Sequence, residues 1–146
     1  MKKKICLILC AFLVLVSIGC TNKQTYPRFT LKLFYYDSCS RCTAFKNSAL
    51  PAIREAFDNN FDIEYYNLDD DSDQAVYQEI VDQLVNFDQE YYGETPLVVI
   101  DESFAVLGYN GSKEDQELIK EIKRALNNEP LGSYYSMGRY QFKKGE

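Results

Sequence analysis

The feature that most constrains the fold is a pair of cysteines three residues apart, Cys39 and Cys42. They lie where the pattern of apolar residues changes from that of a strand to that of a helix. The run FTLKLFYY at 29–36, just before them, is apolar and aromatic, which is typical of a β-strand. After them, apolar residues recur every three or four positions between Phe45 and Phe57, which predicts an α-helix. Two thiols between a strand and a helix indicate an α/β fold in which the cysteines open the helix.

The N-terminus has the pattern of an export signal. Three lysines at 2–4 are followed by the uncharged stretch 5–18 and then by Gly19 and Cys20. This pattern predicts a signal peptide over 1–19 that is too short to span a bilayer comfortably. The segment SIGC at 17–20 resembles the lipobox of bacterial lipoproteins, although serine stands where leucine is commonest. The resemblance implies acylation of Cys20, with chains such as palmitate, and a lipid-anchored protein on the extracytoplasmic face of the cell membrane.

An uncleaved anchor and an ordinary signal peptide are the alternatives for this N-terminus, and both also place the domain outside the cytoplasm. Two other cysteines, Cys6 and Cys10, would leave with the signal, and Cys20 would carry lipid. Cys39 and Cys42 are then the two thiols that remain, and they are expected to be oxidised for at least part of the time in such a compartment.

Charge and composition exclude several classes of function. The formal net charge of −6 becomes −9 once the three signal lysines are removed. Such an acidic domain is not an electrostatic match for nucleic acid or for anionic lipid heads. The chain has no histidine, which excludes histidine-based nucleophile activation and histidine metal ligation.

The remaining pattern predicts one domain at 29–128, after a short linker at 20–28 and before a tyrosine-rich tail at 129–146 that either packs on the domain or stays loose. The order strand, helix, strand, helix, strand, strand, helix predicts a central mixed sheet with helices on both faces, a parallel first pair of strands and a final hairpin. The first helix is expected over 40–59, with a kink at Pro51, and the last helix over 113–128. Between them, an acidic turn at 69–73 precedes a second helix whose apolar stripe is Val76, Ile80, Leu84 and Phe87. The later strands are expected at 61–69, 97–100 and 104–107.

The position of the two cysteines favours redox chemistry. A free thiol has a pKa of about 8.5, so a reactive cysteine needs a group that stabilises its thiolate. Cys39 is expected in the first helical turn, where unpaired amides and the helix dipole favour an anion. Ser38 is expected as the N-cap, and Arg41 adds a positive charge or is an ordinary solvated arginine. Cys42, one turn further, is expected to be the buried resolving thiol.

Other roles for the pair are weaker. Zinc needs four ligands, and the mature chain offers two thiols without histidine. Haem attachment needs histidine after the second cysteine, where Thr43 stands. A disulfide that closes so small a loop stabilises little as a structural link. Copper(I) held by two thiolates is the serious metal alternative.

The order of elements resembles the thioredoxin fold over about 29–128. A second motif, TPLVVI, starts at Thr95, and in thioredoxin-like proteins a cis-proline before the third core strand faces the two cysteines. The resemblance implies that Pro96 is this cis-proline and that the backbone of Thr95 binds an extended substrate. The signal and the helix before Thr95 are similar to small extracytoplasmic thioredoxin-like lipoproteins, some of which accompany bacteriocin export systems.

Several residues depart from the thioredoxin pattern. Leu33 stands where thioredoxins carry a buried acid, Ser40 and Arg41 separate the thiols, and Asp37 opposes a thiolate at Cys39. These departures leave the direction of electron flow open.

The expectation is a membrane-tethered thiol–disulfide oxidoreductase. It would act on protein or peptide thiols and disulfides, and it would need a redox-recycling partner but no organic cofactor or metal. The alternative is a non-catalytic thioredoxin-like lipoprotein that carries copper(I) or binds a partner.

Overall fold

A five-stranded β-sheet lies between helices in the computed structural model, which describes residues 25–132 and 138–143. The expected signal peptide and Cys20 lie outside these residues. Within them, no helix combines the length and the apolar character needed to cross a membrane. The elements are β1 (Phe29–Tyr35), α1 (Ser40–Asn47), α2 (Ala49–Ala56), β2 (Phe61–Asn67), α3 (Asp71–Gln83), a 3₁₀ turn (Gln89–Tyr91), β3 (Leu97–Ile100), β4 (Phe104–Leu107), α4 (Asp115–Leu126) and β5 (Gly138–Gln141).

The strands lie in the order β2-β1-β3-β4-β5. β1 pairs in parallel with β2, and their last residues, Tyr35 and Asn67, are opposite each other. β3 is antiparallel to both β1 and β4, so the parallel first pair and the hairpin are confirmed. β5 is antiparallel to β4 and comes from the tyrosine-rich tail, so part of that tail joins the sheet beyond Asn128.

Two hydrophobic clusters cover the two faces of the sheet. On one face, Leu31 and Leu33 of β1 pack with residues of α1, α2 and α4. On the other face, Phe34 packs with Tyr77 and Val81 of α3. The strand alternates its buried side chains between the faces because its side-chain period is two. The result is the expected α/β class with a three-layer, thioredoxin-like arrangement.

The first helix is broken at Ser48, so the prediction of one helix kinked at Pro51 was wrong. The ring of a proline clashes with the carbonyl four residues before it. For Pro51 this carbonyl belongs to Asn47, where α1 ends. Pro51 itself is the third residue of α2, a position whose amide needs no partner within the helix. The proline therefore ends one helix and sits in the first turn of the next.

Other differences concern the ends of elements. β2 ends at Asn67 instead of residue 69, and α4 begins at Asp115 instead of residue 113. α3 ends before Leu84, whose ψ of 140° is extended, so Phe87 lies beyond the helix. Phe87 still packs against the second cluster, although Tyr77 and not Val76 is the fully buried residue of the α3 stripe.

Candidate functional site

The two cysteines form a disulfide at the start of α1. Cys39 and Cys42 have their Cα atoms 5.2 Å apart, within the usual range for a disulfide. The chain reaches them shortly after the end of β1, which lies between β2 and β3 in the sheet. The predicted junction of strand, cysteine pair and helix is therefore present.

The two sulfurs differ in their access to solvent. Cys39 is partly exposed, whereas Cys42 is 1% exposed and faces the interior. Solvent therefore has access to part of Cys39 but to almost none of Cys42. An exchange reaction at this pair would have to begin at Cys39.

Cys39, and not Ser38, is the N-cap of α1. Its backbone is extended, with φ −79° and ψ 107°, and its Sγ accepts a hydrogen bond of 3.1 Å from the backbone amide of Cys42. Ser38 is exposed and lies outside the helix, so the expected capping role was wrong. The cap places the sulfur of Cys39 at the positive end of the helix, where it can hold a negative charge after reduction.

Arg41 contacts a carboxylate. Its Nη2 lies 2.8 Å from Oε2 of Glu94, and both side chains are partly exposed. This ion pair compensates the positive charge of Arg41 next to the thiols. The two residues are 53 positions apart, so nothing in the local pattern around the cysteines signals the pair.

The Thr95–Pro96 motif faces the disulfide as expected. The peptide bond between these residues is cis, and both are buried. The carbonyl oxygen of Thr95 lies 3.8 Å from Sγ of Cys39. The carbonyl of Pro96 accepts a hydrogen bond of 2.8 Å from the amide of Gly108, which follows β4. The start of β3 and the end of β4 are thus fixed beside the cysteines.

A group of acidic side chains lies next to Cys39, and sequence patterns missed their proximity. The side-chain amide of Asn67 donates to Oδ2 of Asp37 over 3.3 Å, and the backbone amide of Asp37 donates to Oδ2 of Asp69 over 3.3 Å. The signal that could have found them is the parallel pairing of β1 and β2, because both strands end at the same end of the sheet. The turn after β2 therefore lies beside the turn before α1.

A buried polar network supports α1 from the side of the interior. Asp115, which is 6% exposed, accepts hydrogen bonds of 2.7 Å from the hydroxyls of both Tyr109 and Ser48. The ring of Tyr109 packs edge-on against Phe45 of α1. Burial is the main cause that raises the pKa of Tyr109 to about 12. The network joins the break between α1 and α2 to the start of α4.

The loop before Thr95 is fixed by another tyrosine. The hydroxyl of Tyr77, on α3, accepts a hydrogen bond of 3.1 Å from the amide of Gly93. Gly93 has a φ of +83°, a conformation that glycine adopts without steric cost. Burial raises the pKa of Tyr77 to about 12. α3 thereby helps to set the position of the segment that faces the cysteines.

The described residues contain no cluster of metal ligands. Within 25–132 and 138–143, no group of three or more His, Cys, Asp or Glu side chains is arranged to hold a metal ion. Leu33, six residues before Cys39, is fully buried and apolar. The groups beside the two sulfurs are the amides of the first turn of α1 and the charged side chains described above.

Comparison with known proteins gives no relative: no protein-family model, no curated protein and no solved structure matches the chain. The fold class and the disulfide are established by the structure itself.

Proposed function

We propose that the protein is a thiol–disulfide oxidoreductase in which Cys39 exchanges with the substrate and Cys42 resolves the intermediate. The observation that carries the proposal is the disulfide at the start of α1, with one partly exposed and one buried sulfur. The amide of Cys42 and the helix dipole stabilise a thiolate at Cys39, which is the reactive form of a cysteine.

In the reducing direction, the thiolate of Cys39 attacks one sulfur of a substrate disulfide. A bond forms between Cys39 and that sulfur, and the other substrate sulfur leaves as a thiolate. Cys42 then loses its proton and attacks Sγ of Cys39, which forms the internal disulfide and releases the second substrate thiolate. Two electrons pass from the protein to the substrate.

In the oxidising direction the same bonds are made and broken in reverse. A substrate thiolate attacks Sγ of Cys39, and Cys42 leaves as a thiolate. A second substrate thiolate then attacks the substrate sulfur of the mixed disulfide, which forms the substrate disulfide and releases Cys39 as a thiolate, so that two electrons pass from the substrate to the protein. In either direction a second protein with a dithiol or a disulfide must return the pair to its starting state. Neither sequence of steps needs an organic cofactor or a metal.

The segment at Thr95 and Pro96 is proposed to hold the substrate. The carbonyl of Thr95 lies beside Sγ of Cys39, so an extended substrate chain running along this segment would bring its own cysteine to that sulfur. Main-chain hydrogen bonds to an extended segment bind without regard to its side chains. Such binding suits protein and peptide substrates in general.

The proposed place of action is the extracytoplasmic face of the cell membrane, where a lipid on Cys20 would tether the domain. The support is the basic, apolar and SIGC pattern of the first twenty residues. Each buried methylene of an acyl chain contributes about 0.8 kcal/mol to membrane binding.

The test of the cysteine roles is exchange with a peptide disulfide. Cys39→Ser should abolish exchange, whereas Cys42→Ser should accumulate a mixed disulfide between Cys39 and the peptide. The matched control is Ser40→Ala, which changes an exposed residue between the thiols and should leave exchange unchanged. Equal residual turnover in both cysteine variants would contradict the assigned roles.

The direction of electron flow is tested by the reduction potential of the pair. The purified protein is equilibrated in glutathione buffers, and its free thiols are counted by alkylation. A potential of about −270 mV would indicate a reductant, and one between about −180 and −120 mV would indicate an oxidase or isomerase. A pair that stays open at every glutathione ratio would overturn the redox function and favour the copper(I) carrier or another binding role.

A further inference from the structure

The surface around Cys39 is strongly acidic because three segments meet there. β1 and β2 are parallel and end opposite each other, at Tyr35 and Asn67, so the residues that follow them leave the sheet side by side. β3 is antiparallel to β1, so the residues just before it reach the same end of the sheet. The segments 36–43, 67–73 and 90–96 therefore lie towards the end of the sheet at which the disulfide is found.

These three segments contain seven carboxylates and one cation. The cation, Arg41, is paired with one of the carboxylates, that of Glu94. The next cation along α1 is Lys46, whose Nζ lies 3.2 Å from the centre of the Tyr35 ring. The seven acidic residues are Asp37, Asp69, Asp70, Asp71, Asp73, Glu90 and Glu94.

The contacts bring two of these carboxylates together in the turn that leads to Cys39. Asp37 precedes Cys39 by two residues, and its backbone amide is bonded to the carboxylate of Asp69. Both residues are exposed, so their charges face the solvent from which a substrate approaches. A third carboxylate, that of Glu94, directly precedes Thr95, whose carbonyl oxygen lies 3.8 Å from Sγ of Cys39.

Exposed aromatic rings accompany the charges. Tyr92 is 44% exposed, and it stands two residues before Glu94. Tyr36, which directly precedes Asp37, is partly exposed. Lysine and arginine side chains are attracted both by carboxylates and by the faces of aromatic rings, so this combination suits a cationic chain.

We propose that the enzyme selects cationic substrates, namely peptide or protein segments with lysine or arginine next to the reacting cysteine. This inference rests on the proposed oxidoreductase function and names its substrate class. The exchange step is the one described above, and the charges act on the approach and binding of the substrate. A surface of one sign raises the association rate of the opposite charge by about tenfold to a thousandfold, and salt weakens the effect.

The test compares two disulfide peptides of equal length, one with lysines and one with glutamates flanking the cysteines. The purified, reduced protein is mixed with each peptide, and the exchange rate is followed by the fluorescence of a dye attached to the peptide. Each rate is divided by that of dithiothreitol with the same peptide, which removes the intrinsic difference in reactivity. At about 0.05 M salt the lysine peptide should react at least about tenfold faster, and at about 0.5 M salt the ratio should fall towards one.

Charge variants locate the source of the preference. The double variant Asp37→Asn with Asp69→Asn should lower the lysine-to-glutamate rate ratio several-fold. The matched control is Glu102→Gln, which removes an exposed charge from the turn between β3 and β4, at the other end of the sheet. This control should leave the ratio unchanged.

Equal corrected rates for the two peptides, or a faster glutamate peptide, would overturn the substrate class while leaving the oxidoreductase function in place. A ratio that falls with Glu102→Gln but not with the Asp37 and Asp69 variant would overturn the assignment to this surface. Exchange with neither peptide would overturn the proposed function and this inference with it.

Discussion

Replacing Asp115 with alanine should destabilise the fold by about 3 kcal/mol, because it removes the shared acceptor of the buried network. Tyr109 is 4% exposed, and its hydroxyl would lose its charged acceptor in the interior, at a cost of about 1.5–3 kcal/mol. The hydroxyl of Ser48 is partly exposed, so water would replace part of its bond, and the cost is about 0.5–1 kcal/mol. Loss of the carboxylate from the first turn of α4 adds about 0.5 kcal/mol.

The measurement is urea unfolding of the purified, oxidised protein, followed by circular dichroism. The midpoint should shift to lower urea without a change in the slope, which reports the surface exposed on unfolding. Gln116→Ala is the matched control, because Gln116 is the exposed neighbour on α4, and it should change the free energy of unfolding by at most about 0.5 kcal/mol.

A double-mutant cycle separates the hydrogen bond from other effects. In a Tyr109→Phe background, the same change at Asp115 should cost about 1.5–2 kcal/mol less, because the buried hydroxyl is already absent. A loss below about 1 kcal/mol for Asp115→Ala alone, or the same loss in both backgrounds, would refute the reasoning.

Two further predictions concern other parts of the fold. Tyr140→Ala should lower the free energy of unfolding by about 3 kcal/mol, because the buried ring packs on Phe87, whereas the exposed Gln141→Ala should change it by less than about 0.5 kcal/mol. Both free energies of unfolding are measured in urea, and equal decreases for the two variants would show that the Tyr140 ring does not hold β5 in place. The pKa of Tyr77 is about 12 in the fold and about 10 in the unfolded chain, so its contribution to stability is full below pH 10 and is lost as the pH rises towards 12. The free energy of unfolding should therefore fall less steeply across this range in Tyr77→Phe than in the wild type, and parallel pH profiles would contradict the assignment.

The parts of the fold that were predictable depend on neighbours in the sequence. The apolar run before Cys39, the helical period after it and the strand after Pro96 are local patterns, and each corresponds to an element in the structure. The hairpin of β3 and β4 follows from two short apolar runs with a brief turn between them. Periodicity reports which face of an element is buried, and burial decides the layers.

The parts that were missed depend on pairs of distant polar residues. Arg41 and Glu94 are 53 positions apart, and Ser48 and Asp115 are 67 positions apart. Hydrophobic period carries no information about which polar groups meet across the fold. The sequence did not decide whether the segment that forms β5 packs on the domain, for a similar reason. Its position depends on the unpaired side of β4 and not on its own residues, GRYQ.

The pairing of β5 with β4 determines which strand forms this edge of the sheet. β4 consists of four buried residues, Phe104–Leu107, and β5 covers the side of this strand that β3 leaves open. A chain cut short before Gly138 would present that apolar strand with unpaired amides and carbonyls, which is a template for aggregation. β5, with the mostly polar sequence GRYQ, thus forms the edge of the sheet in place of β4, and a polar edge is less prone to intermolecular β-pairing than an apolar one.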